Sequence, residues 1–153
     1  MNTKYEFTGE TKIVYGRTLR RIKAIVAIGE TVDPGEIGGW IENENNLSVS
    51  GDAWVYDDAM VYGNAKVYGD AEVYGDASVS CDKDYMTFKN SWSSGRWFTY
   101  TASNKKWSVG CFYGTGDELV RKAYSDSELS GKCYEAIVRA VEAIEAAKGS
   151  GVK

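Results

Sequence analysis

The chain has 153 residues, a net charge of −4, 43% hydrophobic and 13% aromatic residues, and no histidine. That is enough chain for one ordinary domain or two small ones sharing a core, and the negative charge offers bulk nucleic acid no broad attraction. The missing histidine removes His-based zinc sites, Ser-His-Asp and Cys-His catalysis, and the simplest general base near neutral pH.

There is no run of about 18 apolar residues, so no transmembrane helix is expected. The opening MNTKYEFTGE has no apolar stretch of the signal-peptide kind. Cys81, Cys111 and Cys133 are odd in number and lack a C-x-x-C pair. Free, buried thiols in a reducing cytoplasm are the expectation.

In chain order, residues 1–47 read as N-terminal strands that cap residues 48–83. Tyr5, Phe7, Ile13 and Val14 suggest short strands broken at Gly9 and Gly16. LRRIKAIVAI alternates, with Ile22, Ala24, Val26 and Ile28 on one face, which is the period of a strand. Asp33-Pro34-Gly35 and Gly38-Gly39 read as turns, and ENENN as a polar loop.

Residues 48–83 repeat every six positions: SVSGDA, WVYDDA, MVYGNA, KVYGDA, EVYGDA, SVSCDK. Val recurs at 49, 55, 61, 67, 73 and 79, and Ala at 53, 59, 65, 71 and 77. One apolar and one small position per short unit predicts a left-handed β-helix with a hexad on each of three faces, about 18 residues per coil. Val49 then stacks on Val67, Val55 on Val73 and Val61 on Val79. Gly-Asp and Gly-Asn suit the corners. The competing reading makes each Gly-Asp a hairpin turn, leaving short strands without a continuous core. Tyr56, Tyr62, Tyr68 and Tyr74 come just after the inward valines, so alternation points them outward, where they form a candidate homo-oligomer interface or simply a solvated face.

Residues 84–153 change style. YMTFK, RWFTYTA and WSVGCFY predict a three-stranded antiparallel meander. Thr115 with Glu118 has the spacing of a capping box opening a short helix. A second helix carries Tyr134, Ile137, Val138, Val141 and Ile144 on one stripe, packed on the meander. The fold class is therefore mainly β with an α+β C-terminal part: a short β-helix, a meander and two helices.

Chemistry is sparse. The repeat resembles the aliphatic–x–x–x–small–x pattern of hexapeptide acyltransferases, which as a group use a catalytic His, and this chain has none to carry over. Asp52, Asp57, Asp58, Asp70, Asp76 and Asp82 recur with the turns and read as solvated corners rather than as a paired acid and base or a calcium ladder. No phosphate-loop motif is present. No catalytic residue, metal site or cofactor is expected. Binding remains. One basic cluster is Arg17, Arg20, Arg21 and Lys23. A second is Arg96, Lys105, Lys106, Arg121 and Lys122, interleaved with Trp92, Trp97, Phe98, Tyr100, Trp107, Phe112 and Tyr113, a mixture suited to phosphate and base together.

GRTLRRI (16–22), GGWIE (38–42) with NLS (46–48), the VYGDA or VYGNA hexads and GCFYGTGDEL (110–119) occur in an order that resembles phage and prophage hexapeptide-repeat proteins of unassigned function. The likeness covers nearly the whole chain, although the few hexads here argue against a long rod. The closing segment also loosely resembles phage anti-defence sponge proteins. These are compact, non-catalytic oligomers that capture host immune nucleotide signals such as cyclic ADP-ribose derivatives. That likeness implies a binder in the host cytoplasm that sequesters a small anionic nucleotide-type signal. The ligand candidates are Arg96, Trp97, Tyr100, Phe112, Thr115 and Arg121, with Phe112 stacking, the arginines holding phosphates and Thr115 capping. The alternative is a structural oligomerisation module without a small ligand.

Overall fold

The computed structural model describes residues 2–150 of the chain. Strands β1 (Tyr5–Val14) and β2 (Arg17–Ala24) form an antiparallel hairpin. Its turn, Tyr15-Gly16, has φ of 53° and 73°, as a tight two-residue hairpin turn requires. The break expected at Gly9 is instead a bulge within one strand, between Phe7 and Thr11. Strand β2 ends at Ala24, so Val26, expected inside, is exposed, while Ile22, Ala24 and Ile28 are buried.

Strand β3 (Ile37–Ile41) pairs antiparallel with β2. Gly38 and Gly39 lie within it, not in the expected turn. A Cβ on Gly39 would sit 2.6 Å from the Ala59 carbonyl oxygen, and one on Gly38 would sit 2.7 Å from the Trp54 ring. Close approach of the next layer requires glycine here.

The hexads give four two-residue strands: β4 (Trp54–Val55), β5 (Met60–Val61), β6 (Glu72–Val73) and β7 (Ser78–Val79). Strands β5 and β7 extend the first sheet in the order β1-β2-β3-β5-β7, and β4 and β6 form a two-stranded sheet. This overturns the left-handed β-helix. Among the described residues there is no closed or solenoid sheet, and the molecule is mixed α/β with several sheets and two helices. Two-residue strands are too short to build faces alone, so part of the repeat attaches to an antiparallel layer. The first and fourth hexads supply no named strand.

Val55 faces Val73 and Val61 faces Val79 in parallel pairs. Val49, however, is 55% exposed, and Leu47 takes its place beside Val67. The cause is the 3-10 turn Glu44–Asn46. The Asn46 side chain accepts from the Glu42 and Asn43 N–H groups and donates to the Ala65 carbonyl at 2.8 Å. Partners are 20 residues apart at Leu47↔Val67 but 18 apart at Val55↔Val73. An even slip keeps the same face inward. Ala53, Ala59, Ala65, Ala71 and Ala77 are all buried with the valines.

The C-terminal sheet has the order β11-β10-β9-β8, from β8 (Tyr85–Lys89), β9 (Trp97–Thr101), β10 (Lys106–Val109) and β11 (Phe112–Gly114). It has one strand more than the expected meander, because WSVGCFY folds back at Gly110, whose φ is 54°. Helices α1 (Gly116–Asp126) and α2 (Glu128–Gly149) complete the chain's described elements. Phe98, Tyr100 and Trp107 pack with Leu119, Val120, Ala123, Tyr134, Val138 and Val141 into a second core. Ile144, expected on that stripe, is 45% exposed.

Side chains of this sheet cover the end of the hexad layer. The Glu72 N–H donates to Thr99 Oγ1 at 3.0 Å, and the Ser78 N–H donates to Ser103 Oγ at 2.8 Å. Ser108 Oγ donates to the Glu72 carbonyl at 3.0 Å. They satisfy strand groups that would otherwise be an open edge. The three cysteines are free as expected, but none is buried: Cys81 and Cys133 are half-buried and Cys111 is exposed. Among the described residues no helix is long and apolar enough to cross a membrane.

Candidate functional site

Two depressions carry most of the candidate chemistry. The larger, about 520 Å³, lies between the β9–β10 hairpin, the start of α1 and the middle of α2. Its apolar floor comes from Tyr100, Trp107, Val138, Val141 and Ala146. Tyr100 and Trp107 pack together at 5.0 Å between ring centroids. Strand alternation and the helical stripe bring them here: β9 and β10 turn these rings towards the face on which α2 lays Val138 and Val141.

The rim is polar. Thr115 Oγ1 accepts from the Glu118 N–H at 3.2 Å, and Glu118 Oε1 accepts from the Thr115 N–H at 2.9 Å. This is the capping box read from the sequence. Those bonds hold the Glu118 carboxyl below its ordinary range, the backbone N–H of Thr115 being the main cause. The Gly116 and Asp117 N–H groups, first-turn donors of α1, have no acceptor among the described residues. The rim carboxylates are already engaged. Asp117 and Glu142 both pair with Arg139, at 3.1 and 2.6 Å, and Glu145 pairs with Lys148 at 3.1 Å. Burial, then Glu145 and Glu142, push the Tyr100 hydroxyl up. Lys105, also on the rim, has no ion-pair partner among the described residues.

The second depression, about 450 Å³, runs along the seam between the hexads and the C-terminal sheet. Glu30, Asp52, Asp70 and Glu72 line it with Arg96, Trp97 and Gly110. Arg96 pairs with Glu30 across the opening at 3.6 Å. Burial pushes the Glu72 carboxyl up to about 7, opposed by Arg96 and reinforced by Asp70 and Asp52. Four carboxylates to one guanidinium make this a poor seat for an anion.

The six ligand candidates therefore do not converge. Tyr100 and Thr115 line the larger groove, and Arg96 and Trp97 the acidic cleft. Phe112 lies in a pocket of about 80 Å³ with Val109, Leu119 and Ala123, packing rather than stacking on a ligand. Arg121 is exposed on α1 and lines none of these depressions. The turn at Gly110 lies in the cleft with Arg96, and the fold-back after it carries Phe112 away to pack beside α1.

The groove also contains residues that the sequence did not single out. Lys105 and Trp107 were legible as members of the basic and aromatic set, but Asp117, Glu142 and Glu145, with the Arg139 that pairs with two of them from outside the groove, were not connected to a site. Their signal was helical spacing: Glu142 and Glu145 lie one turn or more beyond Arg139 and next to the apolar stripe. In the cleft, Glu72 was legible as the one acid immediately before a repeat valine.

The tyrosines expected to face outward mostly meet their own chain. Tyr56 is 8% exposed, stacks on Tyr74 at 3.8 Å, and its hydroxyl is 2.8 Å from Thr31 Oγ1. The loop after β2 covers it, which the repeat alone could not foretell. Tyr62 lies beside Tyr15 at 6.1 Å, and its hydroxyl is 3.0 Å from Ser78 Oγ. Tyr68, at 57%, remains the exposed one.

The N-terminal basic cluster is committed in the same way. Arg17 pairs with Glu42, Arg21 with Asp58 and Lys23 with Glu6, while Arg20 lies over the Phe7 ring at 5.2 Å. Among the described residues, no three of His, Cys, Asp and Glu are grouped as metal ligands. No family model matches the chain, and no curated protein matches it.

Proposed function

We propose that the protein is a non-catalytic small-ligand binder whose groove between β9–β10 and α2 takes an anionic, nucleotide-type molecule. The observation that carries this reading is the charge state of the rim. The three carboxylates lining the groove are already engaged, Asp117 and Glu142 by the one Arg139 and Glu145 by Lys148, whereas Lys105 and two first-turn N–H groups of α1 have no partner among the described residues. Those donors suit a phosphate. The aromatic and aliphatic floor suits the body of a base, and a groove of about 520 Å³ lies within the size range of small-molecule sites.

The biological role rests on the sequence likeness. The GCFYGTGDEL segment, which supplies Thr115 and Gly116 to the rim, resembles phage anti-defence sponges. In that role the protein sequesters a host signal in the bacterial cytoplasm, as a homo-oligomer, and releases it unchanged.

A thermal-shift panel of linear and cyclic nucleotides tests this. A ligand at a hundred times its Kd should add about 2.7 kcal/mol of stability, and Lys105→Glu should remove at least about half of that gain. No shift with any member at millimolar concentration would sink the proposal for those ligands.

A structural oligomerisation module is the second reading. It is favoured by Ile13 and Tyr15, 76% and 77% exposed at the β1–β2 turn, and by Tyr68. A monomer mass by light scattering at micromolar concentration would remove it.

A further inference from the structure

The acidic cleft has no part in the proposed function, yet it holds a half-buried carboxyl group and an arginine that pairs with a different acid across the opening. Glu72 sits on β6, beneath β9 and β10, which present only the hydroxyls of Thr99 and Ser108 to its backbone. The charged groups around its side chain are Asp70 and Asp52 from the hexad corners and Arg96 from the loop before β9, with Glu30 across the cleft. Tyr56 and Tyr74 lie close enough to feel its charge, and Lys4 faces the same two aspartates. Arg96 reaches over the cleft to Glu30, whose side chain is 88% exposed. Glu30 stands at the tip of a tight loop closed by reciprocal backbone bonds between Ile28 and Val32. An exposed pair of this kind is weak and readily exchanged.

We propose that this cleft is a proton-operated latch: with Glu72 protonated, Arg96 holds Glu30 and closes loop 29–31 over the seam, and with Glu72 ionised, Arg96 turns inward to it and frees the loop. Three features make the exchange directional. Ionised Glu72 adds a third carboxylate beside Asp52 and Asp70, which only a cation can offset. Arg96 is the guanidinium that lines the cleft. Its present partner is almost fully in water, whereas Glu72 is not, so the inner pair is the less screened of the two. The loop also carries Thr31, whose hydroxyl meets Tyr56, so its release extends to the Tyr56–Tyr74 stack. Burial places the ordinary carboxyl transition of Glu72 near neutrality, where a modest change of pH moves the latch.

Hydrogen exchange of the Ile28 and Val32 amides, whose reciprocal bonds close the loop, corrected for intrinsic rates, reads the loop between about pH 5.5 and about pH 8.5. Protection should fall a few-fold as pH rises through neutrality, as the loss of an exposed ion pair allows. In Glu72→Gln it should stay high throughout, because the amide mimics the protonated acid. In Glu30→Gln it should stay low throughout, because Arg96 has nothing to hold across the cleft. Flat protection in the unmodified protein, or an unchanged fall in Glu72→Gln, would overturn the latch. The carboxyl carbon shift of Glu72, followed by NMR in the unmodified protein, guards against a misfolded variant. A midpoint near neutrality is expected, and one in the ordinary glutamate range would refute the proposal.

Discussion

Tyr74 is a residue at which the two cores of the molecule meet. Its ring stacks on Tyr56 at 3.8 Å and lies 5.7 Å from Tyr113 of β11. A Cβ on the next residue, Gly75, would collide with the Tyr113 hydroxyl, so glycine is needed there to seat that ring. Such ring pairs contribute about 0.5–1.5 kcal/mol beyond the area they bury. Tyr74→Leu should therefore lower stability by about 1–2 kcal/mol in chemical denaturation. Tyr68→Ser, at an exposed ring, should change it by less than about 0.5 kcal/mol. Equal effects would contradict the placement of these rings.

Glu72 and Lys4 set the pH dependence at the same scale. Burial raises Glu72 to about 7, so its contribution is fully present below the ordinary 4.5 and is lost as pH rises through 7. Burial lowers Lys4 to about 8, against the attraction of Asp52 and Asp70, so its contribution is present above 10.5 and is lost as pH falls through 8. Both groups carry charge between these values, and the stability they supply is lowest there. The melting temperature should fall from pH 5 towards pH 7.5, and Glu72→Gln should flatten that limb. A limb that persists in the variant would assign it to other carboxylates.

Among the elements, α1 shows how far local sequence reached. Thr115 and Glu118 have the capping-box spacing, and the structure contains both reciprocal bonds. Thr115→Ala should cost about 1 kcal/mol in a thermal melt, and it should also weaken any anion bound at the groove rim. A variant as stable as the parent would mean that the helix start is held by packing alone. Strand β3 shows the opposite case. GGW looks like a turn because its glycines have no local reason to lie in a strand. Their reason is the Ala59 carbonyl and the Trp54 ring, which come from the next layer. The fold of the repeat was hidden for a similar reason. The valine pairs at 55/73 and 61/79 were legible from period alone. The Asn46-held turn that displaces Val49, and the attachment of β5 and β7 to an antiparallel hairpin, depend on residues outside the repeat.

The whole molecule consists of two cores joined by β9 and β10, whose hydroxyls, with that of Ser103 between them, close the last hexad strands. Candidate residues were visible in the sequence as chemistry, but their grouping was not. Arg96, Tyr100, Phe112 and Arg121 fall within 26 positions and read as one patch. The fold-back at Gly110 and the two helices distribute them among separate surfaces. The groove that remains as the best site draws its floor from β9, β10 and α2, and its uncommitted cation from the turn between the first two. Its proposed role stands on Lys105 receiving an anion over the Tyr100–Trp107 floor. The decisive measurement is calorimetric titration of a stabilising nucleotide into the parent protein and into Lys105→Glu. The parent should bind measurably, and the variant should lose at least about tenfold in affinity, or about 1.4 kcal/mol. Equal affinity for the two proteins would contradict a groove that binds through Lys105.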